Sequence, residues 1–143
     1  MQNLRFFIAL ILGAVIMYSA FYFWHGVMLT DLSRLSYPRS IFLVFAAITY
    51  LVISFGIYKV YELKFWKKIV ANPFLKALLT GISVGFLLFV ITTVLGISFS
   101  SRHTMTYMLT DCVWQILEQT LGAMVVALAH VFIYVPEMSE EHL

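Results

Sequence analysis

Charge is the scarcest ingredient of this chain: Asp, Glu, Lys and Arg make up 11% of its 143 residues, against 62% hydrophobic ones. A soluble domain carries roughly 25% charged residues, so water is not the main solvent here. Cysteine occurs once, at Cys112, which excludes an internal disulfide and any multi-cysteine metal site; a small packing residue near a helix start is the expectation for it. Also missing are HExxH, GxSxG, a Walker loop and a glycine-rich nucleotide loop, the short motifs that would announce a reaction. No linker exceeds about a dozen residues, so there is no room for a soluble catalytic domain. The formal net charge is +2 and the basic residues sit at the ends of apolar stretches, so no nucleic-acid partner is expected.

What is present is apolar sequence in four long runs, 6–29, 41–61, 74–99 and 112–135. At about 1.5 Å per residue, each makes a helix long enough for the roughly 30 Å hydrocarbon core. Lipid offers backbone groups no partners, so spanning runs of this kind are helical. The expected fold is all-α: one integral membrane domain over 1–143, a four-helix up-down bundle with a short acidic tail at 136–143. Short linkers make successive helices antiparallel neighbours. The first run follows Arg5 and contains Tyr18-Ser19-Ala20, which has a flavour of signal-peptide cleavage. A bulky residue at the −3 position and an apolar run continuing to Leu29 argue for a retained helix instead.

Four spans put both termini on one side, with Arg5, Lys59, Lys64, Lys67, Lys68 and Lys76; the other side has Arg34, Arg39 and Arg102. The positive-inside rule then assigns both termini to the cytoplasm. Size and form are similar to those of small four-helix bacterial membrane proteins, so the bacterial inner (plasma) membrane is the expected location. Asn72-Pro73 is a good helix start, Asn capping free amides and proline lacking only an N–H that had no partner anyway. The stretch 58–68, with Lys64, Trp66, Lys67 and Lys68, interleaves lysines and aromatics as lipid-headgroup anchors do.

Within the spans the informative residues are ionisable ones, because a charge at helix centre costs about 2.5–3.5 kcal/mol on insertion scales. His25 and Glu118 stand out. At 100° per residue Asp111, Gln115 and Glu118 share one face of the fourth helix, continuing through Gly122, and Tyr18, Tyr22 and His25 share one face of the first. With those helices adjacent, His25 and Glu118 form an expected pair in the outer half of the membrane, able to hold a proton near neutral pH. Zinc needs three or four ligands and only Asp111 or His103 is placed to join, so no metal and no cofactor is expected. His130 reads as a hydrogen-bonded or interfacial histidine near the inner end. Gly81 and Gly85 have the small-xxx-small spacing of close helix contact, whereas the second helix reads as scaffold.

A four-residue echo, Met28-Leu29-Thr30-Asp31 and Met108-Leu109-Thr110-Asp111, puts one aspartate after helix 1 and another as an N-cap of helix 4.

Three functions fit these features. The first is a non-catalytic accessory or assembly subunit docking other membrane subunits or a second copy of itself within the lipid bilayer. The second is a proton- or cation-linked transporter or channel subunit using the His25/Glu118 site. The third is a lipid- or quinone-directed membrane enzyme with one of those residues as general base.

Overall fold

A computed structural model describes residues 2–33, 35, 36, 38–97 and 105–133. Among them the regular structure is entirely helical, without strands, and four helices are long and apolar enough to cross a membrane. Arg34, Arg102, His103, the tail 136–143 and the Lys67 side chain lie outside the described set.

Helix α1, Gln2–Phe21, runs on into a π-helical stretch, Tyr22–Met28. The wider turn is closed by the Leu29 amide donating to Trp24 O at 2.9 Å, five residues back. Thr30 ends it with φ 55°, the left-handed region that a β-branched residue rarely enters. Its carbonyl is tied down by the Ser33 hydroxyl, 2.6 Å, and the Ser33 amide, 3.1 Å. A 3₁₀ turn, Asp31–Ser33, follows and buries Leu32.

Helix α2, Arg39–Tyr61, starts after Pro38, whose carbonyl accepts from Ile41 at 3.1 Å. A short helix α3, Lys64–Ile69, fills the next linker and carries the anchor residues, with Lys64 and Lys68 exposed and Trp66 edge-on to Phe65. Helix α4, Pro73–Ile97, is capped as its sequence suggests: Asn72 Oδ1 accepts from the Phe74 and Leu75 amides at 2.9 and 3.2 Å.

Helix α5, Met105–Phe132, begins seven residues before the expected start at 112. Thr106, Thr110 and Asp111 dilute the apolar character of its first turns, and it is the least apolar of the four spans. Asp111 is therefore inside the helix and does not cap it. Glu118, expected in the outer half, falls at the helix midpoint: thirteen residues precede it and fourteen follow.

Helix α5 packs against α1, α2 and α4 and forms the centre of the molecule. Its approach to α4 is the closest. A Cβ on Gly81 would collide with the Thr120 backbone, and one on Gly85 would lie 2.7 Å from the Ile116 Cα. On the α1 side Met17, fully buried, fills the notch at Gly122. The outward faces carry exposed Phe45, Val52, Phe86, Leu87, Val113 and Leu117, surface that lipid solvates and water does not.

Candidate functional site

Three groups of polar or aromatic side chains occupy different levels of the molecule. The middle level centres on Glu118, 2% exposed. Its Oε1 accepts from Gln119 Nε2 at 3.1 Å. The Tyr50 hydroxyl and the Trp114 indole lie within interaction range of the carboxylate, although the indole N–H completes no hydrogen bond. Tyr50 is also at a helix midpoint, with eleven α2 residues on either side. Among the described residues no Lys, Arg or His lies within ion-pair distance of Glu118. Gln119 and Thr80 are fully buried beside this level, and Gln119 Oε1 and Thr80 Oγ1 have no hydrogen-bond partner. A carboxylate so placed has polar neighbours but no counter-charge.

One end gathers the residues expected to meet Glu118, and it uses them differently. His25 Nδ1 lies 3.0 Å from Asp31 Oδ2, and its ring packs on Phe21 at 5.1 Å. The Tyr22 hydroxyl accepts from Arg39 Nη2 at 2.7 Å; the Tyr18 hydroxyl reaches Leu43 O at 3.5 Å. No hydrogen bond or ion pair joins His25 to Glu118. The reason is the π-helical stretch. More residues per turn mean a smaller rotation per residue, so the 100° spacing that put His25 toward α5 fails from Tyr22 onward. Trp24 faces α5 instead and stacks on Trp114, centroids 4.4 Å apart and planes 11° from parallel. Beside the stack an apolar groove of about 310 Å³ is lined by Leu109, Val113 and Leu117. The aspartates of the echo, Asp31 and Asp111, are both within electrostatic reach of Tyr107, one in a turn and one inside a helix. Gln115, half-buried, contributes its carbonyl to the crossing at Gly85.

The opposite end holds a cluster that the sequence did not single out. Glu62 Oε1 is 3.7 Å from Arg5 Nη2 and 3.4 Å from His130 Nε2. His130 Nδ1 contacts Val126 O at 2.8 Å, and the ring lies 5.6 Å from Tyr58 and 4.9 Å from Tyr61. With Nδ1 against Val126 O, the ring presents Nε2 to the Glu62 carboxylate. Lys76 covers the Tyr61 ring at 4.1 Å. The signal for this cluster was a row in the sequence: Tyr50, Ser54, Tyr58 and Glu62 recur every fourth residue along α2, the spacing of one helix ridge.

No group of three metal-ligating side chains occurs among the described residues. The chain matches no protein-family model, no curated protein and no solved structure.

Proposed function

We propose that this chain is a proton- or cation-linked transport subunit of a membrane assembly, with Glu118 as the group that takes up and releases the ion. The observation that carries the reading is a carboxylate 2% exposed, midway along a spanning helix, without a cationic partner among the described residues. An ionisable group at that depth is costly, and such groups mark ion pathways and proton relays. Gln119 supplies a hydrogen bond and Tyr50 lies within interaction range, and neither supplies charge.

The arrangement we propose is an up-down bundle. It is supported by the meeting of Arg5, Glu62, Lys76 and His130 at one end and of Tyr22 with Arg39 and Trp24 with Trp114 at the other. The lysine bias assigns the Glu62 end and both termini to the cytoplasm, in a bacterial inner membrane. Three helices packed around α5 leave little room for a conduit inside one chain, so a second copy or other subunits complete the path.

Flux into proteoliposomes tests this. Glu118→Gln keeps shape and hydrogen bonding but removes the ionisable group, and flux should fall to the level of protein-free vesicles. Flux equal to that of the unaltered protein overturns the proposal.

A non-catalytic accessory subunit is the second reading, favoured by the apolar groove beside the Trp24–Trp114 stack. It requires a stoichiometric partner in gentle-detergent preparations and a complex indifferent to Glu118→Gln.

A further inference from the structure

Resting on the reading of Glu118 as a proton site, we infer that Gln119 is its positioning residue, an amide that turns over each time the carboxyl gains or loses a proton. The two side chains follow one another on α5 and meet inside the bundle, Gln119 fully buried and Glu118 2% exposed. Gln119 Nε2 donates to Glu118 Oε1 at 3.1 Å. An ionised carboxylate only accepts hydrogen bonds, so the amide must show it the nitrogen, and the arrangement seen here suits the unloaded form. The other pole of the same amide is idle: Gln119 Oε1 has no hydrogen-bond partner among the described residues.

Loading reverses what the site needs. With a proton on Oε1, Glu118 turns from acceptor to donor, and a buried O–H without an acceptor is unfavourable. The Trp114 indole, within interaction range of the carboxyl, is a donor alone. Gln119 Oε1 is an acceptor on the residue already in contact. A half-turn about the last side-chain bond brings it to the carboxyl in place of Nε2, and that torsion is broad and roughly two-fold in glutamine. The two ends of the amide are close in size, so α5 and its packing stay in place. The titratable neighbours are Tyr50 of α2 and, two turns along α5, Asp111. The close contacts of α1 and α4 near this level, Met17 at Gly122 and Gly81 at Thr120, bring no ionisable group.

The step balances. One proton joins Glu118 Oε1, the N–H bond to that oxygen breaks, an O–H bond to Gln119 Oε1 forms, and no other group changes its proton count. Gln119 thereby holds the carboxyl in one position in both charge states, as suits a site that loads and unloads in every cycle.

Infrared difference spectroscopy on proteoliposomes reads both groups when the glutamine side-chain carbonyls are isotope-labelled by cell-free synthesis. The chain has three glutamines, Gln2, Gln115 and Gln119. After a drop in pH the Glu118 carboxyl band, identified by its loss in Glu118→Gln, should rise. One labelled carbonyl band should shift to lower frequency with the same time course, as the amide oxygen gains a donor. That shift should vanish in Gln119→Met and in Glu118→Gln and persist in Gln115→Met. Gln119→Met, similar in length but without either pole, should also slow flux about tenfold, the weight of one hydrogen bond to a charged group. If Gln119→Met does not fold, the band of the unaltered protein, assigned by elimination with Gln2→Met and Gln115→Met, still decides.

A glutamine band that stays still while Glu118 loads, as follows if the Tyr50 hydroxyl accepts from the loaded carboxyl instead, overturns the switch. So does a shift that survives Gln119→Met. Failure of the underlying reading looks different: full flux in Glu118→Gln removes the proton site itself, whereas lost flux there with a stationary glutamine band removes only the switch.

Discussion

A methyl group added at Gly81 has nowhere to go, because the position it would occupy is already taken by the Thr120 backbone. Backbone cannot rotate aside as a flexible side chain can, so α4 must move away from α5 or tilt. Gly81→Ala should cost about 1–3 kcal/mol, the usual range for overpacking. Gly56 in α2 is the control, since a Cβ there meets nothing within 4 Å. Gly56→Ala removes only backbone freedom from the unfolded chain and should gain about 0.5–1 kcal/mol. Reversible unfolding in mixed micelles reads both. Equal stability of the two variants would mean that α4 and α5 do not approach each other this closely. Glu118 illustrates the other side of residue-level inference. Its type was readable from sequence, but its neighbours and its depth were not: His25 and Tyr22, expected beside it, are engaged by Asp31 and Arg39, and depth depends on where α5 starts, where Asp111 resembled a cap.

At the level of elements, the π-helical stretch Tyr22–Met28 decides which aromatic of α1 meets α5. Two indoles stacked 4.4 Å apart and nearly parallel couple their excited states, and the chain has three tryptophans in all. Near-ultraviolet circular dichroism should show a coupled pair of bands that Trp24→Phe and Trp114→Phe abolish equally and Trp66→Phe leaves intact. A signal surviving either of the first two changes would place the π turn elsewhere. The four spans, the Asn72 cap and the Gly81–Gly85 crossing were legible in sequence because each is specified locally, by apolar length, by one side chain and by missing side chains. The π turn was not, since no residue pattern encodes it: it goes with the Trp24–Trp114 stack, a contact between distant parts of the chain. The α2 tyrosines were present in the sequence but looked like scaffold, because tyrosines in an apolar helix resemble packing aromatics; in the structure Tyr50 lies within interaction range of Glu118 and Tyr58 of Glu62.

For the whole molecule, charge and aromatic contacts divide the two ends in the same way. Arg5 and His130 meet Glu62 at one end and Lys76 covers Tyr61 there, with Lys59, Lys64 and Lys68 flanking them in sequence, while Arg39 on Tyr22 is the described Lys or Arg side chain at the other. In the topology we propose, the lysine-rich end is the cytoplasmic one. The single cysteine makes this testable without a background. In a Cys112→Ser chain, Ser36→Cys and Lys68→Cys each place one thiol on an exposed residue at opposite ends. In intact cells a membrane-impermeant maleimide should label Ser36→Cys and spare Lys68→Cys until the membrane is opened. The inverse pattern would turn the molecule over. Labelling of both thiols from outside would contradict an up-down bundle altogether, because an odd number of crossings must separate the linker before α2 from the linker after it.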